Sequence, residues 1–204
     1  MPARDATRRG DSSGLGTARV DGAAATWQDS FAMASRPASF LLFRLQRDGY
    51  KFVEGLRASP YVRWAAPVYG PFQAVAYAEA ASQQALTTWI ESLRELPEIS
   101  DLDARAVKPI PEDHELADFH VSGPERSVLL IDVDYREEKE RVVTLKLREI
   151  PGVVFARAMW GPADVIAIVE APDHEAMRNL ICDRVKVLAG VRSNTTLYCY
   201  PDSD

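Results

Sequence analysis

The chain of 204 residues has only two cysteines, Cys182 and Cys199, and three histidines, His114, His120 and His174. Two thiols are too few for a disulfide framework, and they read as reduced side chains of a protein expected to be cytoplasmic. Long apolar runs are missing too. None approaches the roughly 18–20 residues that cross a bilayer as a helix, so no membrane partner is expected. The N-terminus lacks the charged, apolar and small-residue order of a signal peptide. There is no basic surplus: the formal net charge is −6, which argues against direct nucleic-acid binding. No Walker loop, Gly-x-Gly-x-x-Gly or Gly-x-Ser-x-Gly occurs. Ser, Cys and His show no local arrangement that makes a nucleophile, and no catalytic residue, metal or cofactor is expected.

What the chain does have is a sentence written twice. YGPFQAVAYAEA at 69–80 and WGPADVIAIVEA at 160–171 share an aromatic residue, Gly-Pro and a closing Glu-Ala, at an offset of 91 positions. Upstream, SFLLFRL at 39–45 parallels SVLLIDV at 127–133, and ASPYV at 58–62 parallels EIPGV at 149–153. Such self-similarity is the mark of a duplicated structural unit. Residues 1–36, polar and poor in large apolar side chains, stand outside the repeat and read as a disordered tail, with Met33 as a plausible true start. Residues 109–125, rich in proline and acids, read as a linker. Within it His114 and His120 keep company with Glu112, Asp113, Glu115 and Asp118. That composition favours a solvated acidic segment over a zinc site, which needs tighter spacing and a supporting shell.

Inside each unit the hydrophobic period alternates between strand and helix. In the first, 37–108, strands are expected at 39–45, 61–68, 72–80 and 101–108, with helices over 49–58 and after Ser82 as N-cap. In the second, 126–201, strands are expected at 126–134, 152–160, 163–170 and 191–200, with helices over 136–149 and 174–188, the latter capped by Asp173. The order βαββαβ is the split βαβ, ferredoxin-like arrangement, an α+β fold. The strands GVVFARAMW and VIAIV are apolar on both faces, whereas a sheet with one wet face alternates apolar and polar residues. The uncovered face is therefore expected to meet the sister sheet, giving a tandem pseudo-dimer resembling a dimeric α/β-barrel. Trp64, Trp89 and Trp160 are expected in the core, and DYREEKERVV at 134–143 is expected as a solvated helix face with intrahelical ion pairs.

On Gly161, Asp164, Gly190, Val191 and Thr196 in the second unit, the chain resembles the effector-binding domain of Lrp/AsnC-type regulators, with its Gly-x-x-Asp turn and closing Gly-Val strand containing Thr. The first unit resembles it less: Gly70 is present but Gln73 replaces the acid. No helix-turn-helix pair is found in the N-terminal tail. The resemblance implies a duplicated, non-enzymatic regulatory module that binds a small, amino-acid-like effector. It also implies a homo-oligomer or a regulator as partner. Carried over by position, it nominates Gly161, Asp164 and Thr196 as ligand-binding residues, with Gly70 and Gln73 as degenerate counterparts. Two other functions share this architecture: a dimeric α/β-barrel enzyme or haem-binding protein, and a structural partner of a helix-turn-helix regulator. A cleft between the sheets holding a His, or a Tyr/Asp pair, of perturbed pKa would favour the enzyme.

Overall fold

A computed structural model describes residues 36–46, 49–115, 121 and 123–201. The expected tail over 1–36 lies, apart from Arg36, outside the described residues, as does His120. Before the linker run β1 (Ala38–Leu45), α1 (Gly49–Arg57), β2 (Val62–Tyr69), β3 (Ala74–Glu79), α2 (Gln83–Arg94) and β4 (Ile99–Ala106). After it come β5 (Glu125–Val133), α3 (Glu140–Arg148), β6 (Val153–Ala158), β7 (Val165–Ala171), α4 (His174–Asn179) and β8 (Val191–Cys199). Two elements were not foreseen. A 3₁₀ turn over Pro111–Glu115 interrupts the linker, and α4 runs on as a π-helical turn over Leu180–Val185.

All eight strands join one antiparallel sheet in the order β4-β1-β3-β2-β8-β5-β7-β6. Its two ends also meet. Val107, just past β4, bridges Met159, just past β6. Trp160 N–H donates to the Ala106 carbonyl at 2.8 Å and Lys108 N–H to the Ala158 carbonyl at 2.9 Å. The sheet therefore closes into a barrel, which removes its exposed edges over that stretch.

The chain fills this barrel because its strands are apolar on both sides. Along β1, Phe40 and Leu42 point inward while Leu41 and Phe43 meet the helices. The inner core draws on strands from both sides of the linker: Phe40, Tyr77, Val128, Phe155, Ile168 and Leu197 are all buried in it. Phe40, Tyr77 and Phe155 form a ring cluster with centroids 4.9–5.7 Å apart. Outside the barrel, Leu86, Ile90 and Leu93 of α2 cover one stretch of sheet, and Val143 and Leu147 of α3 another. Ser82 caps α2 by accepting from Ala85 N–H, and Asp173 caps α4 by accepting from Ala176 N–H, as their short polar side chains allow.

The sequence repeat has hydrogen-bond counterparts. Arg57 donates through Nε and Nη2 to the Ala65 carbonyl at 3.0 and 2.8 Å, and Arg148 does the same to Ala156 at 3.0 and 2.9 Å. Gly70 and Gly161 turn with φ of 146° and 147°, a conformation other residues adopt only under strain.

Three expectations need correction. Trp160 lies outside the core at 60% exposure, with the Lys108 ammonium over its ring, because it sits at the seam where the strand leaves the barrel. Register slips between Val153 and Phe155, so Val154 packs toward the inner core and Val153 toward the helices, the reverse of a strict alternation. Of the charges of 134–143, Glu140 pairs with Lys108 and Arg141 with Glu112, both away from the helix, while Glu138 pairs with Lys146 on α3. Truncating the central ring by Phe40→Ala is expected to cost about 3–5 kcal/mol of unfolding free energy, measured by chemical denaturation.

Candidate functional site

The five residues nominated by resemblance do not come together. The Gly161 turn lies against Arg105 at the end of β4, and the Gly70 turn against Leu197 of β8; the two turns thus mark different seams. Asp164 has both carboxylate oxygens engaged, one accepting from Val133 N–H at 2.8 Å and the other from the Tyr135 hydroxyl at 2.7 Å. Burial and this bond to Asp164 push the Tyr135 phenol up. Gln73 repeats half of that arrangement, its Oε1 accepting from Leu45 N–H at 3.0 Å. Thr196 pairs across from Leu129, and the Asn194 amide donates to its hydroxyl at 3.0 Å. Asp164 and Gln73 each tie one backbone segment to the next.

A different set of residues builds a site. Past the Val107–Met159 bridge, β6 separates from β4, and a cleft of about 260 Å³ opens there. Apolar walls come from Pro37, Ala38, Ala106, Val107 and Pro109, and polar groups from Arg36, Gln83 and Arg157. Arg157 is the unusual member. It shares the inward face of β6 with Phe155 and Met159, is 9% exposed, and stacks over the Phe155 ring at 5.7 Å. The position 91 residues earlier, on the inward face of β2, is Ala66.

A buried guanidinium needs a counter-charge, and the linker supplies it. The 3₁₀ turn carries Asp113 into the protein, where one oxygen lies 2.6 Å from Arg157 Nη1 and the other accepts from Arg148 Nη2 at 2.5 Å. Asp113 also accepts from Ile110 N–H at 3.0 Å. The expectation of a wholly solvated acidic linker therefore fails for Asp113, whose carboxylate is buried between two arginines. Arg157 Nε is shut away from water and has no hydrogen-bond partner.

Behind Arg157, Tyr77 donates to Glu79 at 2.7 Å, and Glu79 also meets Arg63 at 3.3 Å. Burial pushes the Tyr77 phenol well above its ordinary range, the Arg157 charge acting against that and the bond to Glu79 with it. Tyr77 is therefore protonated around neutral pH. Neither Arg157 nor Tyr77 was singled out from the sequence. The signal was there: one charge on an otherwise apolar inward strand face.

Residues 128–200 match the family model described as the Lrp/AsnC ligand binding domain. No curated protein matches the chain. Among solved structures, a chlorite dismutase from Candidatus Nitrospira defluvii, in complex with imidazole, is 12% identical, with 85% of this chain and 94% of that one covered at a TM-score of 0.51. An anthrone oxidase-like protein is also 12% identical, covering 82% of this chain and 92% of that one at a TM-score of 0.50. A small hypothetical protein, PHS023, from Pyrococcus horikoshii is 25% identical over 38% of this chain and 96% of its own, with a TM-score of 0.34.

At such identities the likeness establishes the fold. It also overturns the expectation of a non-enzymatic regulatory module. The family match is confined to the C-terminal part, whereas folds shared over most of the chain carry the names of enzymes. The Gly-x-x-Asp turn also meets a backbone need, a glycine φ and a carboxylate that caps strands.

None of three clefts among the described residues offers an axial haem ligand. An axial ligand would be His, Cys, Met or Tyr facing a cavity. The cleft at Arg157 has none, nor does a second at Arg57, Trp64 and Arg126, nor a third at Ile150, Leu180 and Asp183. His174 stands exposed at the start of α4, 6.1 Å from the Tyr198 ring. Among the described residues no three His, Cys, Asp or Glu side chains gather as metal ligands, and no helix is long and apolar enough to cross a membrane.

Two outcomes are expected. Asp113→Ala leaves Arg148 and Arg157 buried without their shared anion and should cost about 3–5 kcal/mol in chemical denaturation. The Lys108 ammonium, bonded to Glu140, holds that carboxyl below its ordinary range. A depressed folded pKa gives stability that is full above the unfolded value and is lost as pH falls through the folded one. The Tm difference between wild type and Glu140→Gln should therefore be largest near neutral pH and vanish on acidification below the ordinary glutamate range, as followed by thermal melts.

Proposed function

We propose that the chain is an enzyme of the dimeric α/β-barrel type, acting on a small molecule in the cleft beside Arg157. Residues 37–108 and 126–201 are read as two tandem ferredoxin-like units joined by the linker 109–125, their inner sheet faces forming one core. The matching hydrogen bonds of Arg57 and Arg148 support that division. The Lrp/AsnC ligand binding domain match over residues 128–200 supports recognition of a small molecule.

The observation that carries the enzymatic reading is Arg157 itself. Arg157 is one of three buried arginines on inward strand faces, with Arg105 and Arg126, and the equivalent Ala66 shows what packing alone accepts at its place. Arg157 is instead held by Asp113 with the protonated Tyr77–Glu79 pair behind it. A fixed cation in a site of low dielectric stabilises negative charge without reorganising at the moment of reaction. Likeness of fold to a chlorite dismutase and an anthrone oxidase-like protein agrees with catalysis, though fold alone does not assign chemistry.

The test is turnover. Purified protein incubated with small-molecule extract, followed by mass spectrometry, should consume at least one compound in large molar excess over itself. Arg157→Gln should slow that conversion by about a hundredfold, as loss of one charge-stabilising donor does elsewhere. Depletion that stops at one equivalent per chain would show a binder and remove the enzymatic reading.

A further inference from the structure

We infer that the Arg157 cleft takes a small organic carboxylate with an apolar body, its carboxylate held by the Arg157 guanidinium. The catalytic meaning of this site rests on the reading above; the binding itself does not.

Charge is the first reason. In the buried cluster Arg148 and Arg157 share one carboxylate, Asp113. Glu79, the nearby acid, is engaged by Tyr77 and Arg63. The cluster thus keeps one positive charge in excess, at a place where isolated charge is costly. An anion entering the cleft completes it.

Geometry is the second. A guanidinium offers five N–H donors in a fixed plane. Asp113 takes the Nη1 corner of Arg157, and the Nε donor stays without a partner. Carboxylates form strong charge-assisted bonds to such a plane, and Nη2, which is not shut away as Nε is, is the donor left for one on the cleft side. The cleft also reaches Gln83, the first residue of α2, so the positive end of that helix dipole adds to the field.

The walls give the rest of the ligand. Ala38, Ala106, Val107 and Pro109 are apolar, and about 260 Å³ lies just under the usual range for ligand pockets. That space suits a short alkyl chain or a single ring. A phosphate would ask for more donors than one fork and a rim arginine, Arg36, supply.

The test uses the full chain and named probes: butyrate, hexanoate, benzoate and phenylacetate, the four matching primary amides, and inorganic phosphate. Binding is read by thermal shift and by the Arg Nε–H resonance of Arg157, assigned by its loss in Arg157→Lys. At least one carboxylate should raise Tm with concentration and move that resonance, its amide binding about tenfold or more weakly. Arg157→Gln should weaken the carboxylate by a similar factor, and Arg157→Lys by less. Should Arg157→Gln not fold, the acid–amide comparison and Arg157→Lys still decide. Equal binding of acid and amide, phosphate matching the carboxylates, unaltered binding by Arg157→Gln, or no binding across the panel would each overturn the inference. A carboxylate bound but never converted by the protein would leave it standing and remove the enzymatic reading. Turnover of a neutral compound unaffected by Arg157→Gln would do the opposite.

Discussion

Closure of the sheet is the constraint on which the rest depends. Each seam is held by few backbone bonds: β2 meets β8 through Val68–Cys199 and Tyr69–Tyr198, and the strand ends past β4 and β6 meet at one bridge. Such short ladders do not hold two sheets together unaided. The inner faces do, because Phe40, Leu42, Val75, Val128, Phe155, Ile166 and Leu197 would all meet water if the seams parted. Burial of apolar area, at about 25 cal/mol per Å², makes closure the only arrangement that hides both faces of these strands. The cleft is a consequence: where β6 runs past the bridge, the barrel has no partner strand to offer and space is left over.

Comparing positions 91 residues apart separates what the fold requires from what it does not. The Arg57 and Arg148 bonds to strand carbonyls, the Gly70 and Gly161 turns, and the capping by Gln73 and Asp164 recur on both sides of the linker. Recurrence in both places points to a structural need. Two of the exceptions are on the inward faces: Arg157 stands where the first half has Ala66, and Tyr77 where the second half has Ile168. Both exceptions lie close enough to influence each other electrostatically.

Much of the architecture was legible because it is written in periodicity. Strands apolar on both faces announced a buried inner face, Ser82 and Asp173 announced their helices, and the βαββαβ order followed. The site was not legible, and particular residues show why. Asp113 sits among acids in a proline-rich segment, and only a folded 3₁₀ turn brings it to two arginines more than thirty positions downstream. Arg157 was visible as a charge between Phe155 and Met159, but its neighbours across the barrel come from β1, β3 and the linker, which no local pattern links to it. Conversely, the Gly161 and Asp164 motif was conspicuous because turn geometry admits few residues. Conspicuousness of that kind measures backbone constraint.

Stability by itself does not account for Arg157. Replacing a buried ion pair by well-packed apolar groups is often neutral or stabilising, and Ala66 shows that the inward strand face accepts a small apolar residue at the equivalent place. The barrel nevertheless carries the guanidinium, a linker turn to deliver Asp113, and a second arginine, Arg148, already committed to Ala156. Three elements are thereby tied to one cation: β6, α3 and the 3₁₀ turn. Such an arrangement fixes the orientation of the guanidinium plane more tightly than a flexible surface arginine could be held, because each lost degree of freedom is already opposed by a bond made on folding. Orientation fixed in advance is what lowers the entropic cost of binding or of stabilising charge. The interior charge is therefore better understood as a cost that the closed barrel can bear, its apolar inner core supplying the margin that allows a fixed guanidinium at an inward position.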